Sequence, residues 1–144
     1  MGVVFGVKVW EDWGRQTMNA NVNANEKARV MPAADVPWQP VAAGRGVAMQ
    51  MLIGPDRAPH FLLRRFRLEP GGGMPKHTNQ VEHEQFVLGG RAQVGVGEAV
   101  YEVQRGDILF IPAGVPHWYQ AQGEEPFEFL CIVPNLPDRM DLVP

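Results

Sequence analysis

The sequence predicts an all-β domain, because turn-forming residues recur at short intervals between stretches of apolar residues. Its 144 residues include 16 glycines and 13 prolines, and these residues end strands and form turns. No segment shows a convincing apolar period of an amphipathic helix. Short strands with turns about every 8 to 12 residues are typical of sandwiches, jelly rolls and barrels. We therefore expect one of these three architectures.

The first predicted strands lie between residues 36 and 68, and each ends at a residue that favours a turn. Segments 38–41 and 46–53 are apolar, and the second is followed by Gly54, Pro55 and Asp56, which favour a turn. Segment 61–68 is expected to place alternate side chains on one face. The sequence Pro-Gly-Gly-Gly over 70–73 is expected to end this strand.

The remaining predicted strands lie between residues 85 and 134. A strand over 85–88 ends at Gly89 and Gly90. Segments 92–96 and 99–103 flank Gly97 and Glu98, a pattern that indicates a hairpin. Segments 108–111 and 127–133 complete the set, and each is followed by a proline. Altogether we expect roughly eight to ten short strands.

Length and composition favour one globular domain without disulfides. A chain of 16.0 kDa that is 45% hydrophobic and 20% charged has the size and composition of a typical domain. Cys131 is the only cysteine, which excludes an intrachain disulfide and a cysteine-based zinc site. The net charge of −3 does not favour nucleic-acid binding. Because no apolar run approaches about 20 residues and no signal peptide is evident, we expect a cytoplasmic protein that does not bind membranes.

Residues 1–30 differ from the remainder. Segment 18–25 is a polar near-repeat without a helical or strand period, whereas a denser segment opens at Met31. We therefore expect an N-terminal extension over 1–30 and a β-barrel domain over 31–144. The extension is interpreted either as a surface arm or as an added strand over 3–10 that packs on a neighbour.

Three of the four histidines lie in unusual surroundings. His77 follows the glycine-rich turn and opens a polar segment that ends at His83, and His117 follows two prolines that fix its direction. Imidazole is a common transition-metal ligand, and three imidazoles on a rigid sheet can form a metal site with open positions. Taken singly, each of these histidines also fits a surface or hydrogen-bonded core position. His60 has no partner pattern and is given that interpretation.

Two spaced motifs in this chain resemble those of the cupin superfamily, which consists of small metal-binding β-barrels. The first motif is matched at its spacing by Gly71, His77, Asn79, His83 and Gly90, and the second by Gly106, Pro112, Gly114 and His117. Asn79 occupies the position of the family's second histidine, His83 that of its glutamate, and Ala121 that of its asparagine. The resemblance covers roughly residues 36–134 and implies a cupin-type antiparallel β-barrel or jelly roll.

The resemblance also implies a metal site. A histidine at position 83 resembles a subset of small cupins with an all-histidine site, which implies His77, His83 and His117 as ligands. Asn79 is a fourth candidate through its amide oxygen, with a hydrogen-bonding role outside the coordination sphere as the alternative. Gln85 is an alternative oxygen donor. The expected cofactor is one divalent transition metal, namely Fe, Mn, Zn, Ni or Cu.

The walls of the site can be predicted from strand alternation. If His117 points inward, so does Tyr119, which is a candidate catalytic residue. Phe127, Phe129 and Cys131 share one face of the last strand, and we expect them to line the pocket or to fill the core. Cys131 is interpreted as a small buried apolar residue rather than a nucleophile. Alternation does not link Arg64 and Phe66 to the site.

Three functions remain open at this point. The first is a metal-dependent enzyme on a small oxygenated or carbonyl substrate, either an oxidoreductase of dioxygenase type or a lyase or isomerase of small sugar acids. The second is a non-enzymatic module that binds a small molecule, and the third is a barrel with a structural metal. Because edge strands need cover and small cupins usually pair, we also expect a homodimer.

Overall fold

The computed structural model describes residues 28–144, which form an antiparallel β-structure as predicted. Within this range the helical content is a short 3-10 turn over Ala33–Asp35. The strand predicted over 3–10 and the polar near-repeat lie outside the described residues. The described strands are β1 Gln39–Pro40, β2 Arg45–Ile53, β3 Phe61–Thr78, β4 His83–Gly89, β5 Arg91–Val96, β6 Ala99–Gln104, β7 Ile108–Ile111, β8 His117–Gln122, β9 Phe127–Pro134 and β10 Asp141–Leu142.

These strands form one curled sheet that is centred on β3. The main path of neighbours runs β6, β5, β8, β3, β9, β4 and β7. The first half of β3 pairs with β2 and β9, and its second half pairs with β8 and β10. Because β3 is shared in this way, it carries the curvature that brings the two parts of the sheet together around a common interior.

The prediction that 70–73 ends the third strand is wrong, because β3 continues through these residues to Thr78. Gly71 has a φ of 76°, which a residue with a Cβ adopts only under strain. Gly73 contacts both neighbouring strands, where it pairs with Arg45 and Gln120. The glycines therefore bend the strand without ending it, and the pairing with β8 shifts register before His77.

The sequence predicted the strands β5 and β6 but not the strand β8. The hairpin predicted around Gly97 is confirmed, since Val96 pairs with Ala99 and Gly97 has a φ of 60°. The strand β8 was not predicted as a strand, although its alternation was: His117 and Tyr119 are buried and Trp118 is half-buried. Because β8 mixes polar and apolar residues, its sequence does not show the apolar pattern of a strand. It is nevertheless paired on both sides, with β3 and β5.

The core lies inside the curl of the sheet. Leu68, Val87 and Phe127 are fully buried, and Cys131 is buried beside them, as the alternation of β9 predicts. One end of this interior is polar, because it contains the buried histidines. Within residues 28–144, no helix is long and apolar enough to cross a membrane.

Candidate metal centre

The three histidines singled out in the sequence come together at one end of the barrel. His77 lies near the end of β3, and His83 and His117 begin β4 and β8. His77 pairs directly with His117 across the two strands. The ring centres of His77 and His117 are 4.2 Å apart, and those of His83 and His117 are 5.3 Å apart. By contrast, His60 is exposed and packs beside Phe61.

Backbone carbonyls fix two of the imidazoles in one tautomer. His77 Nδ1 lies 2.7 Å from the carbonyl oxygen of Pro75, and His117 Nδ1 lies 2.9 Å from that of Val115. A carbonyl oxygen only accepts, so each Nδ1 carries the proton and donates. Each Nε2 is left with a free lone pair, which is the form in which imidazole binds metals.

Burial keeps the three rings neutral. Desolvation is the largest cause of the lowered pKa of His77, and it lowers the pKa of His83 to about 3 and that of His117 to about 4. The nearby cation Arg64 is the next cause that lowers the pKa of His83. Around neutral pH all three imidazoles therefore lack the proton that would compete with a metal ion.

The spacing of the ring centres is close to that of imidazoles that bind one ion. A metal–nitrogen bond of about 2.1 Å places two coordinated ring centres about 4.6–5.3 Å apart at ordinary coordination angles. The two observed separations lie within about 0.5 Å of this range. In addition, His83 Nε2 and His117 Nε2 are buried without a hydrogen-bond partner. Buried nitrogen atoms rarely lack a partner, and a bound metal would satisfy both.

The three imidazoles are not yet close enough to one another to form a complete metal site. Among residues 28–144, no group of three His, Cys, Asp or Glu side chains forms a ready-made metal cluster. Binding of one ion by three imidazoles therefore requires at least one ring to shift.

The amide of Asn79 is oriented by a residue that the sequence did not indicate. Asn79 Nδ2 donates to Asp138 Oδ2 at 2.9 Å, and the backbone N–H of Gln80 donates to Asp138 Oδ1 at 2.7 Å. Since a carboxylate accepts from the amide nitrogen, the amide oxygen of Asn79 is directed elsewhere. That oxygen is buried, has no partner and belongs to a residue of the cavity wall. Asn79 is therefore a suitable oxygen donor beside the three histidines.

Gln85 and Tyr119 form a hydrogen-bonded pair in the wall. Gln85 Nε2 lies 2.8 Å from the Tyr119 hydroxyl, and the same hydroxyl lies 3.1 Å from Gln85 Oε1. Burial raises the pKa of Tyr119 above its usual range. The phenol therefore stays protonated near neutral pH, which suits a hydrogen-bond donor and not a general base. The amide of Gln85 is occupied by this pairing.

The cavity beside the histidines has a volume of about 50 Å³, which is room for about three or four water-sized groups. Phe129 lines it, whereas Phe127 and Cys131 lie in the core outside its lining. Two residues that alternation had not linked to the site, Arg64 and Phe66, are also in the wall. The complete lining is Val41, Arg64, Phe66, Leu68, Met74, His77, Asn79, His83, Gln85, His117, Tyr119, Phe129 and Met140.

Among residues 28–144, the cavity wall contains no carboxylate. Glu84 alternates with the buried His83 and Gln85, and it pairs with Phe110 and Ile132. It therefore lies on the opposite face of β4. The wall supplies neutral imidazoles, amides, a phenol and one guanidinium, but no side-chain base of the Asp or Glu type.

The structure is that of a small antiparallel β-barrel with buried polar side chains at one end of its interior. A family model described as a cupin domain matches residues 64–133. The chain is 33% identical to a cupin 2 domain-containing protein from Halorhodospira halophila, with 69% of this chain and 71% of that chain covered and a TM-score of 0.65. The protein belongs to the cupin superfamily, and its fold is the cupin barrel that the two motifs predicted.

Two other similar proteins have named activities. The polyketide cyclase RemF from Streptomyces resistomycificus is 28% identical, with 81% of this chain and 87% of that chain covered and a TM-score of 0.73. The 1-methylthio-D-xylulose 5-phosphate methylsulfurylase of Rhodospirillum rubrum is 36% identical over 86 residues, with 56% of this chain covered. The match spans 55% of that relative, about half its length. The similar proteins thus carry different named activities.

Proposed function

We propose that this cupin is a metal-dependent enzyme that acts on a small oxygenated substrate, in a reaction of the oxidoreductase, dioxygenase-like type. The observation that carries the proposal is the convergence of His77, His83 and His117, with two buried Nε2 atoms that have no partner. The three imidazoles would hold the metal together with the amide oxygen of Asn79. Gln85 would position Tyr119 rather than bind the ion.

The donor set determines which metals fit. Imidazole and amide donors suit Fe, Mn, Zn, Ni or Cu. When bound, such a metal supplies Lewis acidity and, if it is Fe, Mn or Cu, redox chemistry. Because the described donors are all neutral, the positive charge of the ion is not reduced by its protein ligands.

The composition of the wall favours redox chemistry over proton abstraction. A lyase or isomerase generally moves a proton with a side-chain base of suitable pKa. The described wall has no carboxylate, its imidazoles are the proposed ligands, and Tyr119 stays protonated. Tyr119 donates its hydroxyl proton to Gln85 Oε1 and would have to turn it away from that amide to donate to an oxygen of a bound substrate. Phe129 and Phe66 give one side of the cavity an apolar surface.

Oxygen uptake tests the reaction type. We expect protein loaded with Fe, Mn or Cu to consume oxygen with at least one member of a panel of small hydroxy- and oxo-compounds, and Zn-loaded protein to consume none. His83→Ala, treated in the same way, serves as the control for free metal. Equal conversion of a substrate by the Zn- and Fe-loaded proteins without oxygen uptake would contradict the redox proposal.

A second candidate is a non-oxidative reaction, and the named relatives favour it. Two of the similar proteins with named activities are a cyclase and a methylsulfurylase, and neither name denotes a dioxygenase. The oxygen-uptake experiment separates the two candidates, because a non-oxidative reaction proceeds without oxygen and tolerates zinc.

Asn79 and Asp138 provide a prediction about metal affinity. We expect Asn79→Ala to weaken metal binding by about 10-fold or more, and Asp138→Ala to weaken it by a similar factor because the amide is then free to rotate. Asp141→Ala is the matched control, since Asp141 pairs with Arg139 on the same C-terminal segment. Metal titration monitored by calorimetry measures all three. Unchanged affinity in Asn79→Ala would leave a three-histidine site.

We also propose a homodimer, because one face of the sheet carries an exposed apolar patch. The patch consists of Phe86, Ile108, Phe110 and Ile132 on the outer face of β4, β7 and β9, and Ile108 is 79% exposed. The strand β7 is also the last on the main path of the sheet. Large apolar patches and open strand edges usually mark sites of association.

The dimer proposal predicts a mass of about 32 kDa in light scattering, twice the 16.0 kDa of one chain. We expect Phe110→Lys to shift the protein to a monomer, because a charge then replaces an apolar contact. Val100→Lys is the control, since Val100 is as exposed as Phe110 but lies on β6 at the other end of the sheet. A wild-type mass of one chain at micromolar concentration would refute the proposal.

A further inference from the structure

Arg64 is a cation in the cavity wall that has no carboxylate partner among residues 28–144. Its neighbours on β3, Arg65 and Arg67, both pair with Glu128 on the opposite face. Arg64 instead donates from Nη2 to Cys131 Sγ at 3.1 Å, and its guanidinium carbon lies 5.1 Å from the ring centre of Phe66. Its Nε is buried and has no hydrogen-bond partner.

The contacts of Arg64 hold the guanidinium in place without neutralising it. Burial raises the pKa of Cys131, so the sulfur remains a thiol and carries no charge. Phe66 stacks on Phe129, and Phe129 stacks on Tyr119, each with ring centres 5.2 Å apart. Arg64 therefore lies at the end of a row of packed aromatic rings. A partly buried cation without an anion is costly, and a ligand that brings a negative charge removes the cost.

The proposed metal adds to this excess of positive charge. The three imidazoles are neutral and the described cavity wall contains no carboxylate. With a divalent ion bound, the cavity would hold three positive charges, and the carboxylate of Asp138, which lies behind Asn79 outside the wall, would balance only one of them. Its volume of about 50 Å³ admits about three or four water-sized groups. A carboxylate group has this size and supplies two oxygens to the planar guanidinium.

We propose that Arg64 binds the carboxylate of the substrate, so that the substrates of this protein are small carboxylic acids held between the guanidinium and the metal centre. This inference deepens the proposed function and rests on it. Arg64 is a specificity-determining residue in this account, because the uncharged analogue of a substrate leaves the guanidinium unpaired. Sites of that kind discriminate strongly between a ligand and an analogue that lacks the bonding group.

The test compares acetate with acetamide, which have equal numbers of heavy atoms but differ in charge. The full chain is loaded with Co(II), and binding of each probe is followed through the visible absorption of the metal. The variants are Arg64→Gln, which removes the charge, and Arg64→Lys, which keeps the charge but lacks the planar fork. Arg67→Gln is the control, because Arg67 lies on the same strand and pairs with Glu69 and Glu128.

We expect the wild type and Arg67→Gln to bind acetate at least about 10-fold more tightly than acetamide. Arg64→Gln should bind acetate at least about 10-fold more weakly than the wild type while still binding one metal ion, and should keep only the part of the preference that the metal supplies. Arg64→Lys should retain the preference with an affinity for acetate lower by about 3- to 10-fold. If Arg64→Gln does not fold, Arg64→Lys decides, and an acetate affinity equal to that of the wild type in Arg64→Lys would overturn the inference. Acetate affinity within about twofold of wild type in metal-loaded Arg64→Gln would overturn the inference.

If the protein binds no metal, the anion site can still be tested by itself. If the wild type binds no cobalt, acetate binding is measured on the metal-free protein by its effect on thermal unfolding. Stabilisation by acetate that is lost in Arg64→Gln would uphold the anion site and overturn only the metal centre. Absence of stabilisation in the wild type would overturn both.

Discussion

Replacing His83 with alanine is expected to lower the affinity for a divalent metal by more than about 100-fold, because even the loss of a group that merely supports a metal ligand costs about 10- to 100-fold. The same result is expected for His117→Ala. Both imidazoles present a buried Nε2 that has no hydrogen-bond partner, so the metal would be the only partner that this atom loses. Calorimetric titration with Zn(II) or Co(II) measures the change. His60→Ala is the control, since His60 is exposed.

The stability of His83→Ala shows whether His83 binds a metal or only supports the fold. His83 Nε2 is buried and has no hydrogen-bond partner among the described residues, and removal of such an atom offsets part of the packing that the substitution loses. We therefore expect the free energy of unfolding of metal-free His83→Ala to remain within about 1–2 kcal/mol of wild type. Strong destabilisation of the metal-free variant together with retained metal affinity would show that His83 supports the fold rather than a metal.

The largest effect on stability is expected at Gly90. Its φ is 72°, and an added Cβ would lie 2.3 Å from the carbonyl oxygen of Pro126. Because that oxygen belongs to the backbone just before β9, it cannot move away without displacing the strand. We expect Gly90→Ala to lower the free energy of unfolding by about 3–5 kcal/mol, the sum of backbone strain and steric overlap. Chemical denaturation measures the loss.

Substitutions at Gly106 and Gly89 allow the cost of backbone strain to be measured separately from the cost of steric overlap. Gly106 has a φ of 92°, and nothing lies within 4 Å of its added Cβ, so Gly106→Ala should cost only about 1–2 kcal/mol of strain. Gly89 lacks both features, and Gly89→Ala should leave stability nearly unchanged. The order Gly90, Gly106, Gly89 is the prediction, and equal losses at Gly90 and Gly106 would contradict the role assigned to Pro126.

The fold and the three histidines were predictable because they depend on local patterns. Glycines and prolines end most strands, and the alternation of β8 and β9 correctly assigned Tyr119 and Phe129 to the interior. The spacing of the two motifs indicated His77, His83 and His117 before any geometry was known. All three residues line the same cavity, and their role as metal ligands is the proposal made above.

Arg64 could not be assigned to the site from the sequence, because β3 does not alternate strictly between Arg64 and His77. Strict alternation would place these two residues, 13 positions apart, on opposite faces of the strand. The glycine-rich segment changes the phase, as the consecutive buried residues 72–74 and the register shift before His77 show. Asp138 was missed for another reason: it lies in a C-terminal segment without a periodic pattern, and only the fold brings it to Asn79.

The central claim, that His77, His83 and His117 hold one divalent transition metal, is tested most directly by elemental analysis of the untagged protein purified without added metal. We predict about one equivalent of Fe, Mn, Zn, Ni or Cu per chain in the wild type, and less than about one tenth of an equivalent in His83→Ala. A wild-type protein that contains no metal, and that takes up none after incubation with each of the five ions, would contradict the claim.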